Sequence, residues 1–403
     1  MRLRIWASIL AIISIHGVAI ADDAAKAPIR IGVMNDMSGP YADTSGPGTV
    51  VAAKMAVEDY GGTALGRPVE ILAADHQNKP DVGAQIVGRW IDEQGVLAIA
   101  DVNTSSVALA VQNITRDKQR VFLISGAASE DLTGKNCSPF SIHTADDTRA
   151  LSAGTTKAVL DSGAKNWFFI TADYTFGHVM EAASSRIIEA NGGKIVGGVR
   201  HPQGSSDFSS YLLAAQTSGA EAIGLANAGD DTTNAIKQAV EFGLPQGGQQ
   251  LVGQIMFISH IHSLGLPTAQ GLLLTESFYW DMNEATRQWS AQFEKRFGRK
   301  PTREHAATYA TIIHYLKAID AAKTTDAAKV VAQMKAMPMD YFGQDAHIRA
   351  DGRAIYGLTL FQVKSPEDSK GPWDYYKPVR TLAGKDAFVS EAESACPLLK
   401  HAN

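Results

Sequence analysis

Beyond residue 20 the chain has no apolar run long enough to cross a bilayer, and nowhere does it cluster lysine and arginine. The first absence excludes later membrane spans. The second excludes a nucleic-acid surface, which needs grouped cations to displace the counterions around phosphates. Cysteine is almost missing, with 2 in 403 residues; Cys137 and Cys396 form neither a CxxC pair nor a Cys/His zinc pattern. No GxSxG marks a hydrolase nucleophile. Gly46-Pro-Gly48 is not a dinucleotide fingerprint, because the third glycine and the later acidic residue are out of place. His260-Ile-His262 has metal-like spacing but no Asp, Glu or Cys beside it, which reads as loop polarity, so neither a metal nor a cofactor is expected.

What is present begins at the N-terminus. Arg2 and Arg4 precede an apolar run from Ile5 to Ile20, and Ala19-Ile20-Ala21 offers small residues for cleavage. That is the pattern of a signal peptide over 1–21, with the mature chain starting at Asp22 and residing in the periplasm. The alternative, a retained anchor, is disfavoured by the shortness of the run. Losing Arg2 and Arg4 reduces 37 basic residues to 35, set against 42 acidic ones, so the mature chain is mildly acidic. Outside the cytoplasm thiols oxidise, so Cys137 and Cys396 are expected to pair and tie down the C-terminal tail; the alternative is two separate thiols.

Apolar periodicity then alternates between strand and helix. Ile29 to Met34 reads as a buried strand, Thr49 to Tyr60 as a helix stopped by Gly61-Gly62, and the cycle repeats through Val69 to Ala74, Asp81 to Glu93, Val96 to Ala100, Val107 to Asp117 and Val121 to Ile124. A second series starts at Trp167 and runs through Gly177 to Ala190, Lys194 to Val199, Phe208 to Ser218, Ala222 to Ala226, Thr232 to Phe242 and Leu251 to Gly253. Two βαβ series imply an α/β fold with two lobes, each carrying a parallel sheet. Helices are expected over Glu284 to Phe297, Ala306 to Ala322 and Ala327 to Met337, with strands near Leu272 to Thr275, His347 to Arg349 and Tyr356 to Val363.

Ile31-Gly-Val-Met-Asn-Asp-Met-Ser-Gly-Pro40, the AAKMAVED helix, Asn103-Thr-Ser-Ser106, Ile124-Ser-Gly-Ala-Ala-Ser129 and the DYTFGH turn occur in one order. In that order they resemble the periplasmic Leu/Ile/Val-binding family, over nearly all of the mature chain. The resemblance implies two Rossmann-like lobes joined by a three-crossover hinge that closes on ligand. It places the crossovers near Ser141 to Asp147, Gln270 to Ser277 and His347 to Gly357. Lobe 1 would comprise 22–143 plus 274–350, lobe 2 144–273 plus 351–375, and 376–403 would form a tail over the surface.

A carboxylate needs converging donors, which helix-start N–H groups and Ser or Thr hydroxyls supply. Two places offer them, Thr104-Ser105-Ser106 after the strand ending at Ala100 and Ala127-Ala128-Ser129 after the strand ending at Ile124; the family resemblance implies that Ser105 is the carboxylate-binding serine and that Ala127, Ala128 or Ser129 supplies the backbone and hydroxyl donors. Taken alone, the spacing of Thr104 to Ser106 fits a simple helix cap equally well. In the second lobe the family's ammonium partners, a Tyr and a Glu, align near Ala228 and Ile255. An ammonium buried there would lack a partner, at a cost of several kcal/mol. A shift of a few residues would instead bring Glu221, Asp230 or Asp231 to that position. Asn227 and Gln254 are candidates for a neutral polar substituent, and Tyr41, Tyr174, Phe176 and Phe257 for apolar walls.

These readings favour a solute-binding protein of an ABC importer that takes a small aromatic or apolar carboxylate, works with a membrane permease, acts as a monomer and performs no chemistry. An amino-acid-binding protein or a ligand sensor for a receptor kinase is the alternative within the same fold. A hydrolase is the rival class, but His143, His178, His201 and His305 form no motif with a serine.

Overall fold

β1 (Ile29–Asn35) opens a βαβ series of α1 (Gly46–Tyr60), β2 (Thr63–Ala64), β3 (Arg67–Asp75), α2 (Pro80–Gln94), β4 (Val96–Asp101), α3 (Ser105–Asp117), β5 (Val121–Ile124) and β6 (Ser141–His143). The computed structural model describes residues 27–399, so the leader expected over 1–21 lies outside the described residues. Among those residues no helix is long and apolar enough to cross a membrane. The six strands lie in the order β2-β3-β1-β4-β5-β6. All pairings are parallel except the β2/β3 hairpin at the edge. Six of the seven residues of β1 are buried, as a strand covered by helices on both faces requires.

A second series follows, with α4 (Thr148–Asp161), β7 (Asn166–Ala172), α5 (Thr175–Ala190), β8 (Lys194–His201), α6 (Ser209–Gln216), β9 (Ala222–Ala226), α7 (Asp230–Glu241) and β10 (Gln250–Gly253). Its sheet, β10-β9-β7-β8, is wholly parallel. The short α8 (Ile258–Leu264) and α9 (Leu266–Ala269) lead to β11 (Leu273–Glu276). From there the chain forms α10 (Glu284–Phe297), α11 (Arg303–Ala322), α12 (Ala327–Ala336) and the small antiparallel sheet of β12 (Met339–Tyr341), β13 (Gln344–Ile348) and β14 (Ala354–Ile355). It ends with β15 (Leu358–Val363), β16 (Tyr376–Leu382) and α13 (Gly384–Ala387).

Two cores flank the first sheet. Ile31 and Val33 pack with Met55 of α1 and with Tyr315, Leu316 and Ile319 of α11, whereas Met34 and Phe122 pack with Trp90 of α2 and Val107 and Val111 of α3. Each fully buried aliphatic side chain contributes about 1.5–3 kcal/mol, and this burial draws α10 to α12 back to the first sheet. β11 pairs antiparallel with β15 and β15 with β16, and Leu274, Phe361 and Tyr376 of these strands join the core around Phe168, Ile170 and Leu225.

The chain passes between the two sheet systems three times, after β6, after β11 and before β15. Asp146 ties these passages together. Its carboxylate accepts from Ser277 N at 2.9 Å and lies 2.9 Å from the Tyr356 hydroxyl, which also sits 2.7 Å from Thr144 O. Cys137 and Cys396 are disulfide-bonded. The C-terminal stretch carries a strand that periodicity did not indicate, β16, and it inserts Phe388 into the first core. His260 and His262 stand on α8 rather than in a loop, and His262 stacks on Trp373 with its Nδ1 2.7 Å from Tyr375 Oη.

Candidate ligand-binding site

The carboxyl ends of both parallel sheets face one cleft, the position where open α/β sheets take ligands. Each loop there is held by its own lobe. Asp36, just past β1, accepts from Gly39 N (2.8 Å), Tyr41 N (2.9 Å) and Asn78 Nδ2 (2.7 Å), which fixes the loop carrying Tyr41. At the end of β4, Asp101 (φ 74°) and Val102 (φ 57°) both occupy the left-handed region, at about 1–2 kcal/mol each. Hydrogen bonds to Asp101 Oδ2 from Asn35 Nδ2 and Ser45 Oγ, both at 2.7 Å, hold that turn and bring Asn103 to the cleft. Gly126 after β5 passes close behind, where a Cβ would meet Asn103 Cα at 2.8 Å.

α11 begins with a capping box. Thr302 Oγ1 accepts from His305 N, and His305 Nδ1 accepts from Thr302 N at 3.1 Å. That pairing leaves Nε2 as the protonated nitrogen, donating to Ser45 O at 2.8 Å. The box starts the helix at Arg303 and delivers Arg303 and Glu304 to the cleft. Arg303 is buried, with Nε 3.3 Å from Asp146 Oδ2 and Nη1 at 3.0 Å from Glu276 and 2.7 Å from Met256 O. Its guanidinium lies 3.8 Å from the centre of the Phe257 ring.

The lobes meet along one edge of the cleft. The Tyr41 hydroxyl is 2.9 Å from the Tyr174 hydroxyl and accepts from Gln203 Nε2 at 2.8 Å. Asp230 N donates to Pro40 O at 3.3 Å. Burial pushes both phenols well above their usual pKa and raises Asp231, nearby, to about 7. Between the lobes remains a cavity lined by Tyr41, Thr44, Asn103, Gly126, Ala128 and Glu304 on one side and Tyr174, Phe176, Ala228, Gly229, Ile255 and Phe257 on the other. It leaves about 20 Å³ to the centre of a water molecule, room for one or two waters. Larger grooves of about 570 and 720 Å³ lie elsewhere, one beside the start of β10 and one along β15 and β16, away from the strand ends that converge here.

Residues 28–371 match the periplasmic binding protein family. The chain belongs to that family. A periplasmic binding protein from Burkholderia mallei is 46% identical, with a TM-score of 0.91 over 92% of this chain and 99% of that one. A branched chain amino acid ABC transporter periplasmic ligand-binding protein from Burkholderia xenovorans is 39% identical, with a TM-score of 0.82 over 92% and 100%. By sequence, a Leu/Ile/Val-binding protein homolog from Brucella melitensis is 26% identical over 66% of this chain and 68% of its own length. Solute-binding proteins of R. palustris in complex with benzoate and with 4-hydroxybenzoate, at 17% and 22% identity and a TM-score of 0.81 each, share the fold.

In this periplasmic binding protein, Tyr41, Ala128, Tyr174, Phe176, Ala228 and Phe257 line the cavity, as does Ile255. Ser105 is not among the lining residues; it is the first residue of α3, with its hydroxyl buried and unpartnered. Thr104, at the N-cap, makes no side-chain capping bond and donates instead to Asn78 Oδ1. Ala127 is buried with its carbonyl 2.7 Å from His143 Nε2, and Ser129 Oγ accepts from Asp131 N at 3.3 Å. Asn227 is turned into its own lobe, where Nδ2 meets His201 Nε2 at 3.1 Å and Oδ1 accepts from Thr232 at 2.8 Å. Gln254 accepts from Thr156 at 2.9 Å. Glu221 is at the far end of β9, accepting from Asn166 N at 2.9 Å. Thr44, Asn103, Gly126, Gly229 and Glu304 line the cavity without having been singled out as ligand residues.

Proposed function

We propose that this chain is the exported solute-binding component of an ABC importer, and that its lobes close on a small carboxylate with a flat apolar body, delivering it to a membrane permease. The observation that carries the reading is the division of the cleft. On the first-lobe side Asn103 lines the cavity, and two residues on, at the start of α3, which has no side-chain cap, the Ser105 hydroxyl is buried and unpartnered, whereas the second lobe presents Phe176, Ala228, Ile255 and Phe257. Backbone N–H groups and a hydroxyl receive an anion without a buried counter-charge, and apolar walls desolvate the body. The R. palustris neighbours that hold benzoates support this ligand class by fold alone. An amino acid is the second reading, favoured by the name of the Burkholderia xenovorans relative. A melting-temperature screen of ligand-stripped protein with benzoate, hydroxybenzoates, leucine and phenylalanine tests the proposal. A ligand at about 100 times its Kd stabilises by about 2.7 kcal/mol, and tighter binding of leucine or phenylalanine would replace the aromatic acid with the amino acid.

A further inference from the structure

Among the described residues Glu304 is the one carboxylic acid on the cavity wall, and it lies in the first turn of α11. It is 5% exposed, and its Oε2 is buried without a hydrogen-bond partner. Among the described residues that line the cavity none is cationic. The nearest guanidinium, Arg303, is not on that wall: it lies against the Phe257 ring and pairs with Asp146 and Glu276, with Nη2 left unpartnered, and Asp101 adds a further carboxyl close by. A simple anion closed into this cleft would therefore meet an acid on the wall, with Arg303, already shared among carboxylates, as the nearest positive charge.

We propose that Glu304 is a specificity-determining residue that accepts a hydrogen bond from an N–H or O–H group on the ligand, so that the solute carries such a donor in addition to its carboxylate. The inference rests on the small-carboxylate reading above and narrows it. Three features of the wall agree. Asn103 Nδ2, also on this wall, is buried and unpartnered and offers a donor beside Glu304's acceptor. Thr44 hydrogen-bonds the same acid, and Tyr41 and Tyr174 line the cavity with it. The walls contributed by Ala228 and Ile255 cannot receive a polar donor, which leaves that task to the first lobe, where Glu304 Oε2 is a buried acceptor without a partner.

The donor has two sources, an amine or a hydroxyl, and protons separate them. Burial raises Glu304 well above the usual carboxylic range, with Asp101 adding to the rise, Arg303 and Thr44 opposing it, and Asp146 raising it further. An ammonium would take the place of the acid's proton and release it to buffer, whereas a hydroxyl would leave the proton count unchanged.

The test uses matched probes: benzoate against 3- and 4-hydroxybenzoate, and 4-methylpentanoate against leucine, titrated by calorimetry into ligand-stripped wild type, Glu304→Gln and Glu304→Leu. The expected result is that the donor-bearing member of a pair binds at least tenfold tighter to wild type, and that Glu304→Leu removes this advantage. Glu304→Gln, close in shape and able to fold where leucine is not tolerated, should retain a hydroxyl ligand and lose an ammonium ligand at least tenfold. Binding enthalpies in two buffers of different ionisation heat then show about one proton released for leucine and none for a hydroxybenzoate. Equal binding within the pairs, or an advantage that survives in Glu304→Leu or is unchanged in Glu304→Gln for leucine, overturns the role of Glu304 while leaving the carboxylate reading in place. Failure of every probe to bind wild type overturns the carboxylate reading itself.

Discussion

Gly229→Ala is expected to hold the lobes apart. Gly229 precedes α7 at φ 62° and ψ −136°, and a Cβ there would fall 2.6 Å from Tyr41 Cδ1 and closer still to Pro40 O, both in the opposite lobe. Ordinary contact begins near 3.4 Å, so this rim must open by roughly 1 Å, since packed atoms tolerate little overlap. Opening by that amount moves the Tyr41 and Tyr174 hydroxyls, now 2.9 Å apart, beyond hydrogen-bonding range, and it stretches the 3.3 Å bond from Asp230 N to Pro40 O. Two net hydrogen bonds are worth about 1–3 kcal/mol, which predicts a Kd raised about 5- to 150-fold. The backbone conformation adds a separate cost of about 1–3 kcal/mol in both open and closed forms. Calorimetry with the tightest carboxylate found, beside melting of the ligand-free protein, separates the two effects. Wild-type affinity in a folded Gly229→Ala would refute the lobe contact and the closure built on it.

Ser105→Ala should weaken carboxylate binding by about 1.5–3 kcal/mol, the range for a hydrogen bond to a charged group; unchanged affinity would return Ser105 to a purely structural place in α3. Thiol counting under denaturing, non-reducing conditions should find none free, since Cys137 and Cys396 are joined, and two free thiols in protein matured outside the cytoplasm would contradict the pairing. Stability should fall as pH rises from about 6.5 to about 8. Burial raises Asp231 to about 7 and Glu276 to about 8, so the folded state binds more protons than the unfolded chain across that window, whereas at lower pH the buried His76, His260 and His305, held below the usual imidazole range by burial, act in the opposite sense. Glu276→Gln should lessen the fall between pH 6.5 and 8 by about 1–2 kcal/mol, and a mutant slope equal to wild type would show that Glu276 is ionised throughout.

The alternation of strand and helix was legible because the central parallel strands β1, β4, β5, β7 and β9 are largely apolar and buried, and Gly61 and Gly95 mark helix ends as C-caps. β16 was not, because it contains Pro378 and is mostly exposed, features tolerated at a sheet edge but absent from the usual strand pattern. At the site, Tyr41 and Phe176 were readable as aromatics just past strand ends, although Phe176 proves to lie in the first turn of α5, whereas Phe257 taken alone read as core. Glu304 was hidden for a local reason. The apolar period of α11 starts at Ala306, whereas the helix itself starts three residues earlier through a box that uses His305 in place of the usual Glu or Gln. Asn227 went the other way. It stands at a strand end, but β8 places His201 beside it and α7 places Thr232, and no local pattern in the sequence reveals those neighbours.

The account's central claim is that two lobes close on one small carboxylate and leave it unchanged. The most direct measurement is calorimetric titration of ligand-stripped protein with benzoate, the hydroxybenzoates, leucine and phenylalanine, followed by mass analysis of the recovered solute. The account predicts one site per chain, a negative heat-capacity change from burial of apolar surface, and a hydroxybenzoate recovered intact as the tightest ligand; conversion of the solute, or no binding by any of these carboxylates, would contradict it.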